Sequence, residues 1–222
     1  FDLHAFCGDF IAAFLQAELK EKHMYGYFPK GFKKMADGVE QCMHFKKNIY
    51  GMIQAARNFF LLVKDWLLGK SGSTCPFKFE QLGSDQCVFT CWFEKHFIII
   101  LIYVDDLICL TTSVALKERL FKAIADAFDF EDKGELRNFL GMKVSRNRSQ
   151  KRTTLDMVAC IKDKLKAFNI TDKKKTFVAY PSHDHEVGEP LQGDDVTLYR
   201  SMLGALIWVV VVRPDLCYAV SK

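Results

Sequence analysis

The sequence predicts an α+β fold built on an antiparallel sheet, and three observations predict it. Two apolar runs, Gln86–Phe93 and Phe97–Tyr103, flank the tripeptide Glu94-Lys95-His96 and read as a hairpin. The stretch FIIILIYVDDLICLTT at 97–112 then turns a second time, at Val104–Asp106, and runs on through Leu107–Thr111. Residues Gln54–Leu68 place Ala55, Phe59, Leu62, Val63, Trp66 and Leu67 at helical spacing.

In chain order, FDLHAFCGDFIAAFL opens on a short apolar run, meets Asp9 and turns apolar again. It reads as a strand ending near Asp9, followed by a helix over Ala12–Lys22. Residues 26–38 are rich in Gly, Pro and Lys and read as loop. Cys42–Tyr50 is a candidate strand that Gly51 breaks. Gly69–Thr74 closes the Gln54–Leu68 helix, and Ser113 is placed to cap a helix over Ala115–Phe128. Phe139–Val144 is a further short strand. Residues 180–195 read as linker, and Tyr199–Val212 as a last, apolar helix.

Half of the 222 residues are hydrophobic and 26% are charged, the profile of a globular protein with a sizeable core. A formal charge of +4 says little about partners. The eight cysteines form no CxxC pair, which argues against zinc and for reduced, intracellular thiols. The apolar runs Phe97–Val104 and Met202–Val212 fall short of the roughly 20 residues that span a bilayer, so no membrane partner is expected. No secretory signal pattern is visible. Both ends read as structured sequence, as in a piece of a longer polypeptide. Between Lys143 and Lys175 stand eleven basic and three acidic residues. Such a run is either a solvated helix face or a basic surface that follows a phosphate backbone.

The two adjacent aspartates carry the chemistry. Side by side in a buried strand they would repel each other and resist desolvation. At a tight turn on the sheet surface both can face a divalent cation, which takes carboxylates together with substrate phosphates. Asp9, at the end of its own strand, is the best third carboxylate for a two-metal site. The rival reading is an ordinary surface turn, where Asp is common.

Tyr103-Val104-Asp105-Asp106 between apolar strands resembles the catalytic hairpin of reverse transcriptases. Seven blocks stand in the order found in the Ty1/copia type of retrotransposon enzyme. DFIAAFLQAEL resembles the family's DVKTAFLNGEL, FPKGF its QPEGF, and FKKNIYGMIQAARNFF its LKKSLYGLKQAPRQWY. SDQCVF, KGELRNFLGMKV, YRSMLGALIW and RPDLCYAV follow at the expected places.

The resemblance implies a right-hand polymerase fold. A palm with an antiparallel sheet would occupy 1–145, with part of the fingers inserted over about 21–58 and the N-terminal fingers missing. A thumb- or connection-like helical region would occupy 146–222. The resemblance implies two Mg²⁺ ions, with Mn²⁺ as the alternative, on Asp9, Asp105 and Asp106. They would serve transfer of dNTPs to a primer 3′-hydroxyl. Asp9 should lie beside the Asp105–Asp106 turn, with the carboxylates a few ångströms apart. Phe14 takes the family's sugar-gate position. Gln54, Arg57 and Tyr103 line the nucleotide, and Phe139–Val144 resembles the strand that supports the primer end. Lys143, Arg146, Arg148, Lys151 and Arg152 would contact the template-primer duplex of RNA or DNA. The remaining partners implied are the rest of the polyprotein, with its integrase and RNase H, in a cytoplasmic particle or the nucleus.

Departures from the family pattern include Ala17 for a usual Gly, Asn48 for Ser, Ala56 for Pro, Met157 for Gln, Cys160 for Tyr and Val212 for Thr. They motivate an alternative expectation, a diverged, inactive remnant that binds nucleic acid. A two-metal phosphohydrolase or nuclease would need the acidic triad alone. His183, Asp184 and His185 lie in the polar linker without a ligand cluster and are not assigned.

Overall fold

The computed structural model describes residues 2–21, 23–70, 72–170 and 188–221. The chain divides into two compact units, 1–136 and 137–222.

The first unit begins with β1 (His4–Phe10) and a four-residue helix α1 (Ala13–Gln16). Four two-residue strands follow, β2 (Tyr25–Gly26), β3 (Met35–Ala36), β4 (Val39–Glu40) and β5 (Met43–His44), paired β2–β5 and β3–β4. Helix α2 (Ala55–Leu67) leads to β6 (Glu80–Gln81), β7 (Val88–Phe93), β8 (His96–Tyr103) and β9 (Asp106–Thr111). Helix α3 (Val114–Ala127) and β10 (Phe130–Glu135) complete the unit. Six strands form one sheet in the order β10-β1-β9-β8-β7-β6, and every pairing is antiparallel.

Alternation along the strands gives this sheet two unlike faces. Phe10, Leu107, Cys109, Ile98, Ile100, Ile102, Phe89 and Cys91 share one face by register. They form a single core with Phe59, Val63 and Leu67 of α2 and Leu116, Leu120, Phe121 and Ile124 of α3. Phe10 sits at its centre, edge-on to Phe59 at 5.1 Å and to Phe128 at 5.7 Å. Lys117 of α3 is buried on the same side. It is neutralised by Asp132 and Glu118 and lies over the rings of Phe6 and Phe121. Gly8 is required there, because a Cβ would stand 2.0 Å from the Phe130 ring. The opposite face, bearing Cys7, Asp9, Asp106, Ile108, Ile99 and Leu101, is covered by neither α2 nor α3.

The second unit has a three-stranded sheet of β11 (Asn138–Phe139), β12 (Met142–Asn147) and β13 (Arg152–Asp156). Helices α4 (Val158–Ala167) and α5 (Asp194–Val210), a 3₁₀ turn (Pro214–Leu216) and α6 (Cys217–Ser221) follow. Ile161, Leu165 and Phe168 of the α4 region and Met202, Leu206 and Val209 of α5 line an apolar cavity of about 230 Å³.

Several sequence expectations change. The helix expected over Ala12–Lys22 stops at Gln16, because Ala17 is extended and Glu18 bridges to Lys47. Of Cys42–Tyr50, only Met43–His44 is strand. Phe139–Val144 is a hairpin rather than one strand, since Leu140 and Gly141 both take positive φ and reverse the chain. The break between the compact units falls at 136/137, and β12 pairs with β13 and not with the large sheet. Ser113 does occupy the N-cap of α3, but its side chain makes no capping bond. His183, Asp184 and His185 lie outside the described residues. Among the described residues no helix is long and apolar enough to cross a membrane.

Candidate active site

Antiparallel pairing sets Asp9 of β1 directly opposite Asp106 of β9, and Asp106 opposite Tyr103 of β8. Asp9 also faces Glu131 of β10. Residues opposed in this way share a face. A row Glu131–Asp9–Asp106–Tyr103 therefore crosses four strands on the side away from α2 and α3. Asp105 lies in the two-residue loop between β8 and β9, and its carbonyl accepts a 2.8 Å bond from the amide of Phe10. That bond ties the loop to the strand carrying Asp9. Val104, the other loop residue, has φ 57°, a conformation costly for a β-branched side chain.

Asp9, Asp105 and Asp106 are all half-buried. Burial raises the Asp106 pKa, and the charges of Asp105 and Asp9 raise it further. Asp106 thus feels both of the other carboxylates. As the side chains stand, however, no three His, Cys, Asp or Glu among the described residues close into a metal-holding group. The backbone brings the acids to one place, and like charge opposes their convergence. The donor set fits a hard divalent cation, because carboxylate oxygens are the ligands Mg²⁺ takes from proteins. A dication would also relieve the repulsion that raises Asp106.

Phe14 follows on α1, half-buried, its ring 4.6 Å from that of Tyr50. Gln16 pins the same helix to the segments that leave β1 and enter β10. Its Nε2 donates to the carbonyls of Ile11 (2.7 Å) and Asp129 (2.9 Å), and its Oε1 accepts from the Asp129 amide (2.9 Å). Gln54 is the N-cap of α2 and donates to the Met24 sulfur at 3.4 Å, while Arg57 is exposed on the first turn.

The proposed duplex contacts lie on a β-ribbon rather than a helix. Lys143 and Arg146 are on β12, Arg148 and Lys151 in the turn, and Arg152 on β13. Register puts Lys143 opposite Asp156, Arg146 opposite Thr153 and Asn147 opposite Arg152. Lys143 and Arg152 thus share one face, and Arg146 the other. Sequence reasoning missed Glu131, because the charged run FEDKGE hides β10. It also missed Tyr50, Asn48 and Asn58, whose partners are distant in sequence.

A family model described as reverse transcriptase (RNA-dependent DNA polymerase) matches residues 3–181, and the chain belongs to that family. Within it, the chain is a reverse transcriptase domain of the copia type. It is 28% identical over 96% of its length to the retrovirus-related Pol polyprotein from transposon TNT 1-94 of Nicotiana tabacum. It is 28% identical over 95% of its length to that from transposon RE1 of Arabidopsis thaliana. Identity is 24% over 96% of the chain to the Ty1-DR1 Gag-Pol polyprotein of Saccharomyces cerevisiae. The chain spans only 16%, 14% and 12% of these relatives, respectively. No solved structure matches.

Proposed function

We propose that this domain is an RNA-directed DNA polymerase whose nucleotidyl transfer runs on Asp9, Asp105 and Asp106. The observation that carries the reading is the register of Asp9 opposite Asp106, beside the loop of Asp105 and on the sheet face that α2 and α3 leave uncovered. The three carboxylates would hold two Mg²⁺, or Mn²⁺, ions. When bound, such ions lower the pKa of an attacking hydroxyl and neutralise charge on phosphate oxygens. The protein's own contribution is positioning. Asp106 is fixed by the β8–β9 ladder, Asp105 by the bond its carbonyl accepts from the Phe10 amide, and Asp9 by its pairing with β9 and β10. Phe14 bars a ribose 2′-hydroxyl, the group that separates RNA from DNA units. Gln54 and Arg57, at the start of α2, line the incoming dNTP, and Tyr103 lies at the end of the acidic row. Lys143, Arg146, Arg148, Lys151 and Arg152 bind the backbone of an RNA or DNA template-primer duplex.

The test is primer extension on an RNA template with Mg²⁺, in a complete reverse transcriptase domain containing this chain. Asp105→Asn is expected to abolish extension while leaving duplex binding nearly intact. Phe14→Ala is expected to keep DNA synthesis and admit ribonucleotides. Duplex binding without extension by the unmutated domain would establish the inactive remnant instead. Extension by Asp105→Asn at near the unmutated rate would overturn the site assignment.

A further inference from the structure

Helix α1 is too short to hold itself. A first helical turn fixes several residues for one hydrogen bond, and isolated short helices do not persist in water. Here the N-cap, Ala12, is left-handed at φ 48° and offers no side-chain cap, while the C-cap, Ala17, is already extended. Gln16 secures the helix to the backbone of Ile11 and Asp129. A second hold comes from Asn48, which is wholly buried at 0% exposure. Its Nδ2 donates to the carbonyls of Ala17 (3.0 Å) and Glu18 (3.1 Å), and its backbone amide donates to Ala17 at 3.3 Å. Its Oδ1 accepts a 3.0 Å bond from Nδ2 of Asn58, buried on the face of α2 one turn after Gln54. Both amide protons and the amide oxygen of Asn48 are therefore engaged.

The geometry joins two parts of the site. Asn48 grips the residue that ends α1, one turn beyond Phe14. Tyr50, two residues after Asn48, packs its ring at a tilt of 43° against the Phe14 ring itself. Asn58 lies on the helix whose first turn carries Gln54 and Arg57. One buried amide thus links the segment bearing Phe14 to the segment bearing the residues assigned to the nucleotide.

We propose that Asn48 and Asn58 form a positioning pair that fixes where Phe14 stands relative to the incoming nucleotide. The pair thereby sets sugar discrimination without touching substrate. This rests on the reading of Phe14 as the sugar gate. A pair that served only as buried adhesive would lower stability when broken but leave discrimination unchanged.

Asn48→Ser breaks the pair conservatively. The side chain shortens, and a single hydroxyl proton faces two carbonyls. Adding Asn58→Gln restores the combined length. In the complete domain, the ratio of efficiencies for dNTP and rNTP is expected to fall about tenfold in Asn48→Ser. It should recover about threefold of that loss in the double variant, where the link between the two side chains re-forms while one of the two carbonyls stays without its donor. An activity-independent measurement accompanies it. Backbone amides of Leu15 and Ala17, bonded to Ala12 and Phe14 within α1, should exchange about tenfold faster in Asn48→Ser, while those of α3 stay unchanged. If Asn48→Ser does not fold, Asn58→Ser carries the same test with an expected change of about threefold, since Asn48 keeps its bonds to Ala17 and Glu18. Phe14→Ala run alongside separates the two claims. An unchanged ratio in Phe14→Ala overturns the gate and the pair together. A changed ratio there, with an unchanged ratio or unchanged α1 exchange on breaking the pair, overturns the pair alone. Failure of the double variant to recover overturns it as well.

Discussion

The two units spend their apolar residues differently. In residues 1–136 they converge: Phe10, Phe59, Phe89, Leu67, Ile98, Ile100, Ile102, Leu107, Leu120 and Ile124 are all at least 98% buried. In residues 137–222 only Met142, Val144, Met157 and Val209 are buried hydrophobics among the described residues. Helix α5 carries as apolar a sequence as any in the chain, yet leaves Leu198, Tyr199, Leu206 and Ile207 about half exposed. A reacting group tolerates little displacement, and the acidic row is built on the unit whose core locks its strands. The basic residues assigned to the duplex lie on an exposed ribbon, where electrostatic attraction over several ångströms needs less precise placement.

The most severe way to sharpen this contrast is truncation in each unit. Phe59→Ala should cost about 3–5 kcal/mol, the range for emptying a packed aromatic site. Leu206→Ala in α5 should cost less than about 1 kcal/mol, because much of that side chain is already in water. Denaturant unfolding of both variants measures the difference, and equal losses would abolish the contrast.

A smaller effect, of unusual sign, is expected at the acidic row. The folded-state pKa of Asp106 is raised by burial and then by Asp105 and Asp9. Folding therefore favours the protonated form. Its stabilising contribution is complete below the unfolded pKa and is lost as pH rises through the folded value. At neutral pH the ionised carboxylate opposes folding. Asp106→Asn should thus raise stability at pH 7 in metal-free buffer while removing one of the carboxylates proposed to hold metal. The gain should shrink as pH falls toward the ordinary carboxylate range. Thermal melts across pH test it, and a pH-independent gain would mean that side-chain shape, not charge, is responsible.

On the basic ribbon, Lys143→Ala and Arg152→Ala should each weaken duplex binding and reduce the logarithmic salt slope by about 1. Titrations at several salt concentrations read that slope directly. The smallest change is expected at the loop. Val104→Gly removes the penalty of a β-branched residue at φ 57°, so it should alter stability by no more than about 1 kcal/mol, in the stabilising direction. A clear loss would show that the Val104 side chain packs usefully.

What the sequence made legible was local and periodic. Both hairpins around β8 followed from apolar runs broken by turns and the helix α2 from helical spacing, while the strand end at Asp9 made it only a candidate and the family resemblance set it beside the hairpin. What it hid depended on partners far along the chain. The helix after Asp9 ends at Gln16 because Asn48, thirty-one residues from Ala17, claims the carbonyls of Ala17 and Glu18. β13, with the sequence RTTLD, is exposed throughout and leaves no burial pattern to read. The basic run left a solvated helix face and a phosphate-following surface equally open, because charge alone carries no period. Only the pairing of β12 with β13 divides Lys143 and Arg152 from Arg146.

β10 was hidden for a related reason, and its position gives that disguise a use. The large sheet is open, and unpaired backbone at a sheet edge recruits passing strands. Its interior strands include HFIIILIY, the composition that stacks into fibrils when left accessible. One edge is β6, only two residues long. The other is β10, where Glu131, Asp132, Lys133 and Glu135 crowd six residues and a bulge opposite Cys7 and Gly8 breaks the register. A second molecule offering a strand there meets charge and a kinked ladder. The run of letters that least resembles a strand gives this edge a charged, kinked ladder that opposes the addition of a second copy.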